Sequence, residues 1–317
     1  MKIYWKKATV IMTSMLMAIS CSKNDNETIN MESESYTTTF KITDAPIDNT
    51  NVQGVFITVS SVKIDGTSLK GFSKTTFDLA ALVNGKTKTL GNLELEAGSY
   101  SNIELELDYA SDANGKAPGC YIVMADGQKD QLEATATKIM INDTFEVFAS
   151  NTNEIIIDFD LRKAIKEDES KPSNQFEFVS MSELSAAIRA LNKDTSGMIS
   201  GTANDAEDTS DKIVVYAYQK GSFDADVETK GQGASNITFA NAVTSSEVSG
   251  FDNSYSLNFL EEGTYELVFV SYAENSNDFT FNSLLEVESN IGLNLGAINI
   301  TSALQINANV MITGKKQ

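Results

Sequence analysis

The chain has no histidine, only two cysteines and three prolines, and a single tryptophan, Trp5, in 317 residues. Without histidine, Ser-His-Asp and Cys-His nucleophilic schemes and histidine-ligated zinc are excluded. Cys21 and Cys120 are too few for a disulfide framework, and Cys120 reads as a small buried hydrophobe. Basic residues are scarce: 24 Lys and Arg stand against 44 Asp and Glu, a formal net charge of −20. Nucleic acid is therefore not an expected partner, because phosphate contacts need Lys and Arg clusters. The acidity instead keeps an exposed protein soluble or attracts cations. No Gly-rich phosphate loop, Gly-x-Ser-x-Gly elbow or cysteine cluster occurs. The apolar run from Ala8 to Ser20, thirteen residues, is too short to span a bilayer as a helix.

Lys2, Lys6 and Lys7 precede that run, and Ser22-Lys23-Asn24-Asp25-Asn26-Glu27 follows Cys21. A charged start, a short apolar stretch and an abrupt polar turn read as an export signal over 1–20. Leu16-Met17-Ala18-Ile19-Ser20-Cys21 resembles a bacterial lipobox, with Ala18 where leucine is usual. The resemblance implies that Cys21 is acylated and becomes the mature N-terminus, so that membrane lipid is a partner. Several acyl chains on one residue give stable anchoring that a single chain does not. Residues 21–35 then form a flexible tether. Their polar, partly acidic character resembles the signal that sends some lipoproteins to the outer face of the outer membrane. Cleavage removes three lysines and no acidic residue, taking the charge from −20 to −23.

About 297 residues remain, enough for two domains with separate cores. From Thr37 onward the pattern has period two. Phe40 and Ile42 alternate with Lys41 and Thr43, Val55, Ile57 and Val59 with Phe56, Thr58 and Ser60, and Ile103, Leu105 and Leu107 with Glu104, Glu106 and Asp108, which predicts half-buried antiparallel strands. Ile155, Ile157, Phe159 and Leu161 repeat the pattern, with Ile156, Asp158 and Asp160 opposite. A helical turn is expected at Arg162 to Glu167 and a loop from Lys166 to Pro172. Met181, Leu184, Ile188 and Leu191 suit a helix or a strand equally. The alternation resets near Gly197, where short β runs (Ile199 to Gly201, Ile213 to Tyr218, Tyr255 to Phe259, Leu267 to Tyr272) begin a second domain. The clearest alternation of all joins Leu304, Ile306, Ala308, Val310 and Ile312. The expected fold is all-β: two β-sandwich-like domains, 36–192 and 197–317, behind the lipoprotein signal and tether. Glu96-Ala-Gly-Ser-Tyr100 and Glu262-Gly-Thr-Tyr265 share a turn in which glycine permits a tight bend and tyrosine buries its ring where the next strand starts.

Thr43-Asp44-Ala45-Pro46, Val59 to Ile64, Asp78-Leu79-Ala80-Ala81-Leu82-Val83-Asn84-Gly85, Ala97-Gly98-Ser99-Tyr100 and Asp158-Phe159-Asp160 follow one another in an order. Together they resemble domain of unknown function 4382 of bacterial lipoproteins, over about residues 36–180. The chain departs from it at Gln131 to Thr135, where a proline- and glycine-containing turn is expected. Gly197-Met-Ile-Ser-Gly-Thr202 with Gly263-Thr-Tyr265 is similar to carboxypeptidase regulatory-like, transthyretin-like β-sandwiches. Neither resemblance implies a catalytic residue or a cofactor.

Three acidic groups are conceivable cation ligands: Glu104, Glu106 and Asp108; Asp158 and Asp160; and Asp205, Glu207, Asp208 and Asp211. None has calcium-loop spacing, so all read first as solvated faces and no metal is expected, Asp158 and Asp160 being the weak candidates. Tyr216, Tyr218 and Tyr272 are candidate sugar platforms whose packing role is the favoured reading. The expected function is a non-catalytic structural or binding role for an envelope lipoprotein. The alternatives are capture of surface glycan or envelope protein during nutrient uptake and, last, a carboxylate-dependent hydrolase.

Overall fold

The computed structural model describes residues 34–45, 52–150, 152–167, 175–207, 210–275 and 278–316. The compact unit begins at Glu34. Cys21, the export signal and most of the 166–172 loop lie outside the described residues.

The first half packs two sheets face to face. In one, the order is Ile188–Asn192, Asn153–Asp160, Ser35–Ala45, Lys88–Glu96. The other is organised around Val52–Ile64, which pairs with Ile103–Leu107, Tyr121–Met124, Thr75–Asp78 and Thr67–Ser68. One strand serves four partners because its register shifts between Val52 and Gly54 and again between Val59 and Ser61, and such bulges bend and twist a strand. Alternation places Phe40, Ile42, Ile155, Ile157 and Phe159 against Val55, Ile57, Val59 and Leu105 in a single core. Cys120 is fully buried there, as expected, and burial pushes its thiol up to about 12.

Two details differ from the sequence reading. Ser35–Ala45 and Asn153–Asp160 pair in parallel, Phe40 opposite Ile155 and Ile42 opposite Ile157. Asn153–Asp160 is also buried on both faces, since Ile156, Asp158 and Asp160 are covered as well as Ile155, Ile157 and Phe159. Period two detects an alternation of polarity, whereas the second cover comes from residues far along the chain. The expected turn after this strand is one helical turn, Leu161–Ala164, followed by a strand, Ile165–Glu167. The ambiguous segment resolves into both elements: a helix Met181–Ala186 and a strand Ile188–Asn192. Ser180 opens that helix as a capping box with Glu183.

The second half follows after a single 3-10 turn, Lys193–Thr195. Its strands run in the order Thr244–Glu247, Lys212–Gln219, Gly263–Asn275, Asp278–Ser289, Val310–Lys315, Ser196–Asn204, Ser254–Glu261. The sheet curls until its two end strands touch, with Ser256 N donating to Ser246 Oγ at 3.0 Å. Ile199, Val215, Leu257, Tyr265, Phe269, Ile298 and Val310 fill the inside. A second core forms outside, where Val214, Tyr216, Tyr218, Val270 and Tyr272 lie under Phe239 and Ala242. The three tyrosines are therefore packed, and the Tyr216 and Tyr272 hydroxyls share a 2.6 Å hydrogen bond.

The final alternating run is interrupted. Gln305–Asn307 and Val310–Lys315 both pair in parallel with Ser196–Asn204, and the break falls at Ala308–Asn309. There Asn309 turns its side chain back, Oδ1 accepting from Thr202 N at 2.9 Å, while its carbonyl takes Asn290 N at 3.0 Å. Gly201 makes this possible, because a Cβ there would stand 2.4 Å from Ala308 O. The paired Gly-x-Tyr turns match: Tyr100 Oη donates to Glu96 O and Tyr265 Oη to Glu261 O, each at 2.9 Å.

Candidate functional site

The outer face of Asn153–Asp160 is the seam between the halves. Asp158 Oδ2 receives Arg189 Nε at 2.9 Å and Nη2 at 2.6 Å, and Arg189 Nη1 continues across to Phe259 O at 2.7 Å. Asp160 Oδ2 lies 3.0 Å from Arg162 Nη2 and 3.2 Å from Lys163 Nζ. Arg162 Nη1 then donates to Thr238 O and Phe239 O, and Lys163 Nζ to Ala242 O. Burial disfavours a charge on Asp160, yet Arg162 and Lys163 outweigh it and hold its carboxyl below the usual range. Phe259 and Phe239 have φ of +56° and +51°, a region costly for a bulky side chain. Each thus offers its carbonyl to an arginine of the other half.

A further tie comes from Glu183, whose carboxylate accepts from Ser235 N at 3.1 Å and Ser235 Oγ at 2.7 Å besides capping its own helix. Burial opposes ionisation of Glu183, but the bonds from Ser235 and Ser180 prevail and lower its pKa to about 2. Asp44 is the exception. Burial raises its carboxyl well above the ordinary value, the Leu161 N–H to Oδ1 offsets this only in part, and Oδ2 is buried without a partner.

The acidic candidates fall into place individually. Asp158 and Asp160 lie two residues apart on one strand face, their Oδ2 atoms engaged by guanidinium and ammonium groups. Glu104 pairs with Lys63 and Lys138, Asp108 with Lys74, and Asp211 accepts from Glu274 N. Among the described residues no three His, Cys, Asp or Glu side chains gather as a metal site.

Above the seam opens a cleft of about 620 Å³. Its floor follows from alternation: with Ile199, Ala203, Tyr255 and Leu257 inside, Ser200, Thr202, Ser254 and Ser256 face outward. Ser200 stands opposite both Ser256 and Asn307, and Thr202 opposite Ser254. Asn309 and Ser249 extend this surface, Glu247 lines it, and Val83 and Asn84 of the first half close one side. Glu247 is held by Lys212 at 3.1 Å. A second hollow of about 370 Å³, lined by Lys41, Glu154, Lys193 and Asn258 among others, lies on the far side of the Asn84-Gly85 turn. Gly85 has φ +76°, and a Cβ there would meet Asn258 Oδ1 at 2.8 Å.

Asn84 and Gly85 were singled out in the sequence only as part of an ordered set of phrases. Ser200 stands likewise only within the Gly197 to Thr202 phrase and Arg162 only as the start of an expected turn, while Ser256, Asn307 and Arg189 carry no functional signal in the sequence. The outward serines were legible as the polar half of an alternation, but not that two distant strands bring them side by side.

Residues 37–179 match the family described as Domain of unknown function (DUF4382), which covers the first half and the Asn84-Gly85 turn. No curated protein matches the chain. Among solved structures, the Bacillus anthracis TIE protein is similar at 13% identity, over 88% of this chain and 34% of that one, with a TM-score of 0.19. The major pilin subunit BcpA of Bacillus cereus is 9% identical over 89% and 71%, with a TM-score of 0.22. A Bacteroides ovatus protein described as a putative adhesin is 10% identical over 95% and 99%, with a TM-score of 0.18. This chain spans about a third of the first of these.

Proposed function

We propose that the protein is a cell-envelope lipoprotein, anchored through acylated Cys21 and displayed at the surface, whose β unit binds a partner without transforming it. The observation that carries this reading is the cleft. Its polar groups are the hydroxyls and amides of Ser, Thr and Asn, set among the apolar surface of Val83, Gly201 and Tyr255, and its one carboxylate, Glu247, is paired with Lys212. Such a wall orients a ligand by hydrogen bonds, whereas acid–base chemistry asks for titratable groups poised to exchange protons. The hydrogen bonds of Arg162, Lys163 and Arg189 to carbonyls of the second half support the same reading, because they hold together the halves that frame the cleft.

Anchoring is tested by feeding cells a labelled fatty acid: the wild type takes up label and Cys21→Ser does not. Equal labelling of the two overturns the anchor. Surface display predicts cleavage by protease added to intact cells, and an intact protein beside a cut surface control refutes it. Binding without turnover predicts that ligands captured from envelope extracts are released chemically unchanged.

A further inference from the structure

We infer that the cleft is a binding site for a neutral glycan, with Phe251 as its stacking face; this rests on the reading of the cleft as a binding surface. Its floor offers Ser200, Thr202, Asn307 and Asn309, side chains that donate and accept with comparable ease. The volume of about 620 Å³ lies within the usual range for ligand sites.

Charge narrows the ligand. No Lys or Arg lines the cleft, Glu247 contributes a carboxylate, and the chain carries −20 overall. An anionic ligand would meet repulsion here without a cation to offset it. A cationic one would compete with Lys212 for the single carboxylate. A neutral polyol matches a floor of hydroxyls and amides.

Phe251 supplies what such a floor lacks. It stands outside the lining itself, 98% exposed at the tip of the turn whose two ends, Ser249 and Ser254, line the cleft. The turn is tightly held: Asn253 N donates to Ser249 O at 2.8 Å, Phe251 N to Ser249 Oγ at 3.3 Å, and Ser254 Oγ to Asp252 Oδ1 at 2.7 Å. Ala203 N donates to Asn253 O at 2.9 Å and fastens the turn to the strand that carries Ser200 and Thr202. A bare aromatic ring on a preorganised turn beside a hydroxyl-lined floor can stack on the apolar face of a sugar ring while its hydroxyls bond below, and little ordering is needed on binding.

The test presents the mature chain to an array of neutral polysaccharides (glucans, mannans, arabinoxylan) and acidic ones (polygalacturonate, alginate, heparin), followed by calorimetry on those retained. Neutral glycans are retained and acidic ones are not. Phe251→Ala weakens binding at least about tenfold, the loss of a stacking contact and its buried area, while Phe251→Tyr keeps it within about threefold. Asn307→Ala reduces it as well. Phe251 is exposed, so these variants melt with the wild type. Retention of no neutral glycan, equal retention of acidic ones, or indifference to Phe251→Ala overturns the proposal. A photo-crosslinker at position 251 on intact cells separates the two readings. Capture of an envelope protein instead of glycan overturns the glycan and leaves the binding surface standing; no adduct of either kind sinks both.

Discussion

Asp44 and Glu183 are carboxyls displaced in opposite directions. Asp44 is raised by burial, so the folded state holds its proton more tightly than the unfolded chain does; its contribution is complete at acid pH and is lost as pH rises through the folded value. Asp44→Asn, which cannot ionise, should therefore melt above wild type at pH 8, with the gap closing as pH is lowered toward 4. Scanning calorimetry across that range decides it, and a gap independent of pH refutes it. Glu183 is lowered to about 2, so its tie to Ser235 is present above the ordinary carboxylate range and fades as pH falls from about 4.5 toward 2. Arg162 is a different case. Its guanidinium is buried between Asp160 and the carbonyls of Thr238 and Phe239, so Arg162→Ala leaves a buried carboxylate short of partners and should cost about 3–5 kcal/mol. Lys63→Ala, at a half-exposed pair, should cost less than about 1 kcal/mol. Urea unfolding of both measures the contrast.

Among the elements, the strand Ser196–Asn204 has the most exacting neighbours, since Gln305–Asn307, Val310–Lys315 and Ser254–Glu261 all pair with it. Gly201→Ala would drive a Cβ into Ala308 O and should destabilise by about 1–3 kcal/mol, as overpacking does. Gly250→Ala meets nothing within 4 Å and should leave stability close to wild type. Thermal melts of the two variants test the assignment. What was legible at this scale follows from locality. Period two located the inward positions of Phe40, Val55, Ile103 and Ile155, the β runs at Ile199 and Tyr255 marked strands without their faces, and the Gly-x-Tyr turns announced strand starts at Gly98 and Gly263. The parallel partnership of Ser35–Ala45 with Asn153–Asp160 left no local mark, because pairing direction depends on how the intervening chain returns. Nor did the break at Ala308–Asn309, where a tertiary bond from Thr202 overrides an unbroken alternation.

For the whole molecule, the first half has one core and the second half has two, Ile237 of the second half packs against the first core, and a three-residue turn joins the halves, so each half is expected to fold by itself but to lean on the other. Expressed alone, residues 36–190 and 197–317 should each unfold cooperatively, but at lower temperature than the intact chain, because Asp158, Asp160 and Tyr216 lose their cover or their partners. Calorimetry of both fragments tests this, and failure of either to show a transition returns the chain to a single folding unit. The candidate site belongs to this scale, which is why it was the least legible part: its floor comes from strands far apart in sequence and one of its sides from a turn in the other half.

The parallel pairing of Ser35–Ala45 also has a mechanical meaning. That strand is the first described element of the chain, and it lies between Asn153–Asp160 and Lys88–Glu96, with eight residue pairs in each ladder. A pull transmitted from the N-terminus acts along its axis, so both ladders are sheared at once and their hydrogen bonds resist together instead of peeling apart one after another. If the chain is held through Cys21, as proposed, a load on its β unit would meet both ladders together at the point where the force enters.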